Sequence, residues 1–531
     1  MAEQQIQELQ KQIEQLKASQ KSPYDVYQTS LTSRYCSAEM TQLFSQRSRH
    51  STWRKLWLGL AEAEHELGID TITPQALEEM KAHLIVTDED FEAARIEERI
   101  RRHDVMAHVH AFGLVAPAAA GVIHYGATSC YVTDNAELIL QAKALDLLIQ
   151  KLSKVISNLK AFSLQWKSEP TLAYTHLQSA QPITVGRRSA QWLQDLTFDL
   201  ENLETVRANL KFRGAQGTTG TQASFLEMYV HTCGIKHACQ TQTTSQSTNR
   251  PIHSFQGDHA KCDKLNGILC KKFGFPACYD ISTQTYTRKV DLIIAQAVAG
   301  IGASAHKIAN DIRLLANFKE IEEPFEAKQI GSSAMAYKRN PMRSERICSL
   351  SRALMSKPAS FANTLSTQWM ERTLDDSAIR RMDIPEMMLL AEAVLIGLDN
   401  VTDGLVVYPA RIRSRFLEEL PFMVTEAIIM KIVAKGGSRQ EAHEEIRVIS
   451  RQAASVVKME GKPNDLIERI RNTEYFKPIW DELDGMMKPE LYVGRSVEIV
   501  ERYCGAGGPV EKLLAPYKEY LAQSTTAQLN V

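Results

Sequence analysis

The chain lacks an excess of charge of either sign. Its 62 Lys and Arg residues are matched by 63 Asp and Glu residues, so the formal net charge at pH 7 is −1. This balance gives the protein no global attraction to nucleic acid or to an anionic membrane surface. A site for an anionic ligand must therefore be a local cluster of cationic side chains.

Long apolar runs are also missing. No stretch approaches the roughly 20 residues of a membrane span, and the N-terminus, rich in Gln, Glu and Lys, lacks the apolar core of a signal peptide. Nine cysteines scattered over 531 residues fit reduced thiols better than a disulfide framework. We expect a cytoplasmic protein that is long enough for several domains and a large buried core.

Strand-like alternation is scarce, whereas helical spacing is common. Proline-free stretches near 134–166, 184–212 and 288–320 are apolar at helical spacing, and each would span about 45 Å as a helix. Asp134 and Glu137 predict that the first helix starts there, since acidic residues favour a helix N-terminus. Helices of this length pack as bundles, and one chain struggles to cover them on every side. We predict an all-α protein whose long helices associate with other subunits.

Two segments depart from this pattern. Residues 1–20 carry about two heptads of apolar residues, which predicts a possible helical arm. Residues 229–256 form a polar run of Thr, Gln and Ser without helical period, which indicates an insertion. Residues of zinc-ligand type lie in and after it: His231, Cys233, His237, Cys239, His253, His259 and Cys262. Their spacing matches no common zinc finger, so we expect a flexible surface loop or an unusual splice product there, and metal binding is the alternative.

Residues 331–341, GSSAMAYKRNP, combine small residues, hydroxyls and positive charge before a predicted helix. Ser332 supplies a hydroxyl and Lys338 a charge. Asn340 and Pro341 are predicted to be the N-cap and the first helical position. Free amides at a helix start favour an anion, so the segment predicts an anion-handling loop. The alternative is a mobile surface loop that leads into a solvated helix.

A histidine lies in the segment TLAYTHLQSAQP. Pro170 and Pro182 bound His176, which indicates a held loop rather than the interior of a helix. An imidazole can deliver or remove a proton near neutral pH. His176 is therefore a candidate for acid or base catalysis.

Two further segments contain side chains suited to anion binding. RHDVMAHVH begins with Arg102, His103 and Asp104, and GATSC contains Thr128 and Ser129. Hydroxyls and free amides near a helix start can bind a carboxylate. A structural histidine and simple helix capping are the alternatives.

The segment QWMERTLDDSAIRR contains Arg372, Ser377 and Arg381. Ser377 and Arg381 share a face if the segment is helical, whereas Arg372 would point away from Arg381. We therefore predict that Arg372 precedes a helix that starts near Asp375 or Asp376.

Together these segments resemble the fumarase/aspartase superfamily. Residues 331–341 match its signature GSSxMPxKxNP, and the forms YKRNPMRSER, RHDVMAHVH and DDSAIRR are similar to the adenylosuccinate lyase family. The resemblance runs from about Ser33 to near Tyr517. One position departs, because Ala336 stands where the pattern has proline. Losing proline widens backbone freedom, so we expect altered loop kinetics rather than lost activity.

The resemblance implies three helical domains, 1–128, 129–407 and 408–531, of which the second contains a central long-helix bundle. It further implies a homotetramer with active sites shared between chains, and no metal or organic cofactor. His176 is then the general acid and Ser332 the base. The implied substrate-binding residues are Arg34, Tyr35, Arg102, His103, Asp104, Thr128, Ser129, Gln284, Lys338, Asn340, Arg346, Arg372, Ser377 and Arg381.

The implied reaction is β-elimination of fumarate from adenylosuccinate, giving AMP, and from the succinylated aminoimidazole carboxamide ribotide of purine synthesis. An ordinary serine hydroxyl is too weakly acidic to form an alkoxide near neutral pH, and the alkoxide is the form that could act as the base. Loop amides and Lys338 must therefore stabilise the serine anion. Two alternatives stay open. One is another fumarate-releasing enzyme, such as an argininosuccinate lyase or an aspartase-like enzyme. The other is a non-catalytic helical oligomer of the same fold.

Overall fold

The computed structural model describes residues 26–232 and 258–529. The possible arm, 1–20, and residues 233–256 of the predicted insertion lie outside the described residues. Within the described ranges the fold is helical, as expected, apart from two short antiparallel strand pairs. The first residues of the predicted insertion belong to a helix that ends at Thr232.

The helices and strands follow in three groups along the chain. After a short π-helix, Leu31–Tyr35, come α1 Ala38–Leu43, α2 Gln46–Glu66, α3 Pro74–Ala82, α4 Asp88–Arg101 and α5 Asp104–Val115. The middle contains α6 Ser129–Gln165, β1 Pro170–Thr175, β2 Gln178–Thr184, α7 Val185–Ala208, α8 Ala223–Thr232, α9 His259–Phe273, α10 Lys289–Phe318, β3 Ile321–Glu322, α11 Met342–Ser366, α12 Asp376–Asp403 and β4 Val406–Val407. The last group is α13 Pro409–Met423, α14 Thr425–Ala434, α15 Arg439–Glu460, α16 Leu466–Arg471, α17 Leu483–Met486, α18 Ser496–Cys504, α19 Pro509–Leu514 and α20 Lys518–Gln523.

The long helices α6, α7, α10, α11 and α12 pack side by side. The predicted apolar stripes face this core: Leu145 and Leu152 of α6 and Ile301 of α10 are fully buried. Helices α10 and α11 approach closely at Gly302, where an added Cβ would lie 3.2 Å from the carbonyl oxygen of Ser351. In the described part of the chain, α10 alone is long and apolar enough to span a membrane, but 56% of that apolar window is buried within the protein.

The predicted start of the first long helix is wrong by five residues. Helix α6 begins at Ser129, so Asp134 and Glu137 lie beyond its first turn. Both are buried, and their carboxylates face cations: Asp134 accepts two hydrogen bonds of 3.1 Å from Arg288, and Glu137 lies 2.7 Å from Arg380. The acidic residues that suggested a helix start are instead the anionic partners of arginines in buried ion pairs.

The predicted loop around His176 is a β-hairpin. Strands β1 and β2 pair antiparallel up to Thr175 and Gln178. His176 and Leu177 form the connection with φ of 54° and 57°, the left-handed backbone of a type I′ turn. Leu172 of β1 is buried in an apolar cluster that it forms with residues of α13 to α17, separate from the core of the long helices. The hairpin is thus anchored at its base and exposes His176 at its tip.

Candidate active site

A cavity of about 500 Å³ opens between the α4–α5 turn and the first turns of α6 and α12. It brings together residues from three of the motifs in the sequence, and Gln284. The predicted site residues that line it are Arg102, His103, Asp104, Ser129, Gln284, Arg372, Ser377 and Arg381. Thr128 lies at its edge, where its Oγ1 accepts a 3.4 Å hydrogen bond from Gln284.

The α4–α5 turn positions the first of these side chains. Arg102 ends α4 in the left-handed conformation, with φ of 56°, and His103 is the N-cap of α5. His103 Nδ1 accepts the N–H of Met106, so a neutral ring carries its proton on Nε2. Nε2 lies 3.2 Å from Ser129 Oγ. This turn therefore holds an imidazole N–H and a hydroxyl side by side at the cavity wall.

An ion pair crosses the cavity between Asp104 and Arg381. Burial raises the pKa of Asp104, but the hydrogen bond and charge of Arg381 outweigh it, so this pKa lies below its ordinary value. Arg372 precedes α12, as predicted, and its Nη2 lies 3.5 Å from Asp376. Ser377 and Arg381 lie one turn apart on the same face.

Buried ion pairs beneath the cavity were missed by the sequence analysis. Arg288 donates to Asp376 at 2.7 Å, and Arg380 donates to Asp291 at 2.8 Å. Burial lowers the pKa of Arg380, yet the charges of Asp291 and Glu137 raise it well above its usual value. Buried charges need such partners, and the network fixes the helix turn that carries Ser377 and Arg381. One signal in the sequence could have indicated the network. Asp376 and Arg380 are one turn apart, as an ion-pairing helix face would be, and this face is adjacent to the face of Ser377 and Arg381.

The loop that contains Ser332 lies outside this cavity. Ser332 Oγ accepts the N–H groups of Met335 at 3.1 Å and of Ala334 at 3.4 Å. The predicted capping was wrong by one residue: α11 begins at Met342 with Pro341 at the N-cap. Asn340 instead donates through Nδ2 to the carbonyl of Gly331 at 2.7 Å, so its amide closes the loop rather than capping the helix.

The remaining predicted residues occupy two other places. His176 is exposed at the hairpin tip and does not line the cavity of His103. Arg34, Tyr35 and Arg346 line a separate cavity of about 410 Å³, in which the Arg346 guanidinium lies 5.2 Å from the centre of the Tyr35 ring. Lys151 and Arg343 also line this second cavity, and no described Asp or Glu does. Lys338 is exposed on its loop.

Comparison with known proteins decides the family. The Lyase family model matches residues 37–249 and 221–355, and the model for the adenylosuccinate lyase C-terminus matches residues 421–503. The adenylosuccinate lyase of Schizosaccharomyces pombe is 51% identical over 500 residues, which cover 94% of this chain and 98% of that one. The chain belongs to the adenylosuccinate lyase family. The Saccharomyces cerevisiae member of the family is 50% identical over 508 residues, 96% of this chain and 99% of its own.

Solved structures agree with the fold of an adenylosuccinate lyase family member. The 3-carboxy-cis,cis-muconate lactonizing enzyme of Pseudomonas putida superposes with a TM-score of 0.73 at 21% identity, covering 91% of this chain and 99% of that one. Fumarate lyase from Mesorhizobium sp. BNC1 gives 0.71 at 22% identity, covering 91% and 100%. The family membership makes the protein a lyase, and these likenesses show its helical architecture.

Most of the residues of zinc-ligand type near the predicted insertion lie outside the part of the chain whose side chains are described. Among residues 26–232 and 258–529, no three His, Cys, Asp or Glu side chains are grouped to hold a metal ion. Of the seven residues of zinc-ligand type, only His259 and Cys262 have described side chains.

Proposed function

We propose that the protein eliminates fumarate from adenylosuccinate to give AMP, and from the succinylated aminoimidazole carboxamide ribotide in the same way. One observation carries this proposal: the 500 Å³ cavity joins the hydroxyls of Ser129 and Ser377 to the guanidinium groups of Arg102, Arg372 and Arg381. Each substrate carries two carboxylates and a phosphate. Arginine forks bind such groups in a bidentate manner, and hydroxyls supply further hydrogen bonds.

We assign the base to Ser332. Its Oγ receives two backbone N–H groups, from Ala334 and Met335. Hydrogen bonds to an oxygen favour its anionic form, as in an oxyanion hole. Lys338, on the same loop, adds positive charge. This environment is what a serine needs to remove a weakly acidic C–H proton.

We assign the general acid to His176. The exposed hairpin tip leaves the imidazole free to approach a bound substrate. It would deliver a proton to the departing nitrogen while the carbon–nitrogen bond breaks. The turn backbone holds both His176 and Leu177 at positive φ, so the ring is presented on a defined support.

We further propose a homotetramer whose active sites are shared between chains. His176 and Ser332 lie on exposed elements away from the His103 cavity of their own chain. Beside that cavity, Trp369, Met370 and Leu374 are 73%, 93% and 72% exposed. Exposed apolar patches of this kind mark interaction surfaces. Neighbouring subunits would cover the patch and bring the acid and base to the cavity.

Arg34, Tyr35 and Arg346 complete the proposed site. Their cavity contains four cationic side chains, so it suits the phosphate of the nucleotide or a carboxylate. We also propose a cytoplasmic location, because the seven described cysteines are free thiols, as expected in a reducing compartment.

The test is to follow adenylosuccinate by absorbance with the purified protein, with argininosuccinate as the second substrate. We expect the protein to turn over adenylosuccinate but not argininosuccinate. Turnover of argininosuccinate would assign another activity of the superfamily, and no turnover of either would support a non-catalytic oligomer. The variant His176→Ala should be inactive, whereas His443→Ala, at an exposed histidine of α15, should match the unaltered enzyme.

A further inference from the structure

The last described residues contact the C-terminal end of α12. Helix α20 ends at Gln523, and residues 526–529, here named the C-terminal strap, run along α12. Thr526 Oγ1 donates to Asp403, and the N–H of Ala527 donates to Asp399 Oδ2 at 2.7 Å. The strap is therefore bound to one turn near the end of α12.

Asp399 depends on the strap for one of its partners. The residue is 6% exposed, and its Oδ1 accepts a 2.8 Å hydrogen bond from Asn158. Burial raises the pKa of Asp399, and the Ala527 amide opposes that effect. A buried carboxylate that loses a donor is costly. The strap thus supplies Asp399 Oδ2 with a hydrogen bond that the long helices do not provide.

Asn400 connects the strap to an arginine. Its Nδ2 donates to the carbonyl of Ala527 at 3.0 Å, and its Oδ1 accepts from Arg343 at 2.6 Å. A side-chain amide has one donor end and one acceptor end. The strap carbonyl therefore fixes which end of Asn400 faces Arg343.

Arg343 carries the connection to the loop that contains Ser332. Its Nη2 donates to Glu326 at 2.8 Å and to Gln329 at 3.1 Å. Both acceptors lie just before Gly331, where the loop begins. A continuous set of hydrogen bonds thus runs from the strap, through Asn400 and Arg343, to the base of this loop.

The strap also forms a wall of the second cavity. Ala527, Gln528 and Leu529 line it together with Arg34 and Arg346. Three of the four strap residues therefore line a cation-rich cavity, and one of these three, Ala527, also accepts the hydrogen bond from Asn400 that connects the strap to Arg343.

We propose that the C-terminal strap is a positioning element of the active site. It holds Arg343, and through Arg343 the base of the Ser332 loop, and it encloses the cavity of Arg34 and Arg346. Its part in catalysis rests on the proposed function. Its hold on the loop does not, because loop exposure can be measured without substrate.

The variant Ala527→Pro tests this, because proline has no N–H to donate to Asp399. Thr525→Pro is the matched control, since Thr525 lies just before the strap, is exposed, and makes no hydrogen bond through its N–H to another described residue. The backbone before it is extended, with ψ of 137° at Ser524, which proline accepts.

The first measurement is limited digestion with trypsin without ligand, with cuts after Lys338 or Arg339 identified by mass spectrometry. We expect cleavage in Ala527→Pro to be about five-fold faster than in the unaltered protein, the factor for one net hydrogen bond. Thr525→Pro should be cleaved at the unaltered rate. Equal rates in the two proline variants and the unaltered protein would overturn the proposal.

The second measurement separates positioning from stability. We expect kcat for adenylosuccinate to fall by a similar factor in Ala527→Pro at a temperature where circular dichroism shows it folded. A lowered melting temperature with unchanged kcat and unchanged loop cleavage would mean that the strap is merely structural, and would overturn the proposal. Absence of adenylosuccinate turnover in the unaltered protein would overturn the proposed function instead, and the cleavage rates would still decide the strap.

A milder variant covers the case in which Ala527→Pro does not fold. Thr526→Val removes the donor to Asp403 with little change in shape. We expect it to fold and to show a smaller increase in cleavage after Lys338, in the same direction. An unchanged cleavage rate in Thr526→Val would then count against the strap.

Discussion

Ser129 Oγ lies 3.2 Å from His103 Nε2, which joins the first turn of α6 to the N-cap of α5. Because His103 Nδ1 accepts from Met106, the Nε2 proton is available to this hydroxyl or to a bound anion. The two side chains can therefore donate together at the cavity wall, and we propose that an oxygen of the substrate lies beside them.

Replacing the imidazole tests this position. In His103→Ala we expect the KM for adenylosuccinate to rise by about 10- to 100-fold, the range for a hydrogen bond to a charged group. Steady-state kinetics provide the measurement, and His65→Ala, at an exposed histidine of α2, is the control. An unchanged KM in His103→Ala would remove this residue from substrate binding.

The second prediction concerns the missing proline at position 336. Lys338 donates its N–H to the carbonyl of Met335 at 2.9 Å, which places Ala336 second in a β-turn. Proline is favoured there because its φ is already fixed. Ala336→Pro should stay active, with the turn stabilised by about 0.4–1 kcal/mol and slower tryptic cleavage after Lys338.

Ala334 offers a matched control in the same loop. Its N–H donates to Ser332 Oγ, so Ala334→Pro removes a donor that supports the proposed base. We expect kcat to fall in Ala334→Pro and to be retained in Ala336→Pro. The same loss of kcat in both variants would contradict the distinction.

The third prediction compares two aspartates of α6. Asp134 is 1% exposed and bonds to Arg288, so Asp134→Asn should lower the free energy of unfolding by about 3–5 kcal/mol. Asp146 pairs with Arg207 at 2.8 Å on the surface, and Asp146→Asn should cost less than about 1 kcal/mol. Urea denaturation at equal protein concentration measures both. Equal costs would show that the buried network does not stabilise the fold.

The fourth prediction concerns acid stability. Burial and the charge of the neighbouring His108 together lower the pKa of His50 to about 3. Burial also lowers the pKa values of His108 and His124 to about 4. In the unfolded chain each would protonate near pH 6.5. As pH falls from 6.5 to about 4, the unfolded state therefore binds more protons, and stability decreases by about 1.4 kcal/mol per pH unit for each histidine.

His50 and His108 are stacked with ring centres 4.0 Å apart, so one substitution tests the effect. Urea midpoints of His50→Gln and of the unaltered protein should converge as pH falls from 7 to 5. Parallel midpoints over this range would mean that His50 is not held neutral in the folded protein.

The long helices could be predicted from sequence because a 3.6-residue apolar period is a direct consequence of burying one face. The bounds of α7 and α10 lie within a few residues of those expected. The start of α6 could not be predicted in this way, because Asp134 and Glu137 have the composition of a first turn but the surroundings of a core. Whether Asp134 lies in a first turn or in the core depends on its tertiary partner, Arg288. Because Arg288 is distant in sequence, the local pattern does not reveal this partner.

The cavity was predicted in part. The family resemblance assigned Arg102, Ser129 and Arg381 to one site, and the three residues line one cavity within a single chain. The hairpin of His176 was missed because its turn uses two residues other than glycine at positive φ. The strap was missed because a short polar tail has no periodic pattern, and its contacts with Asp399 and Asn400 appear only once the bundle is folded.

The sharing of acid and base between subunits is the claim on which the proposed mechanism depends most. The measurement is adenylosuccinate turnover by His176→Ala and Ser332→Ala, each alone and after the two are dissociated, mixed in equal amounts and reassembled. We predict that each variant alone is inactive and that the mixture regains up to about a quarter of full activity, since that share of sites would receive both intact residues from different chains. An inactive mixture that has reassembled into mixed tetramers would contradict the delivery of acid and base to one site by different chains.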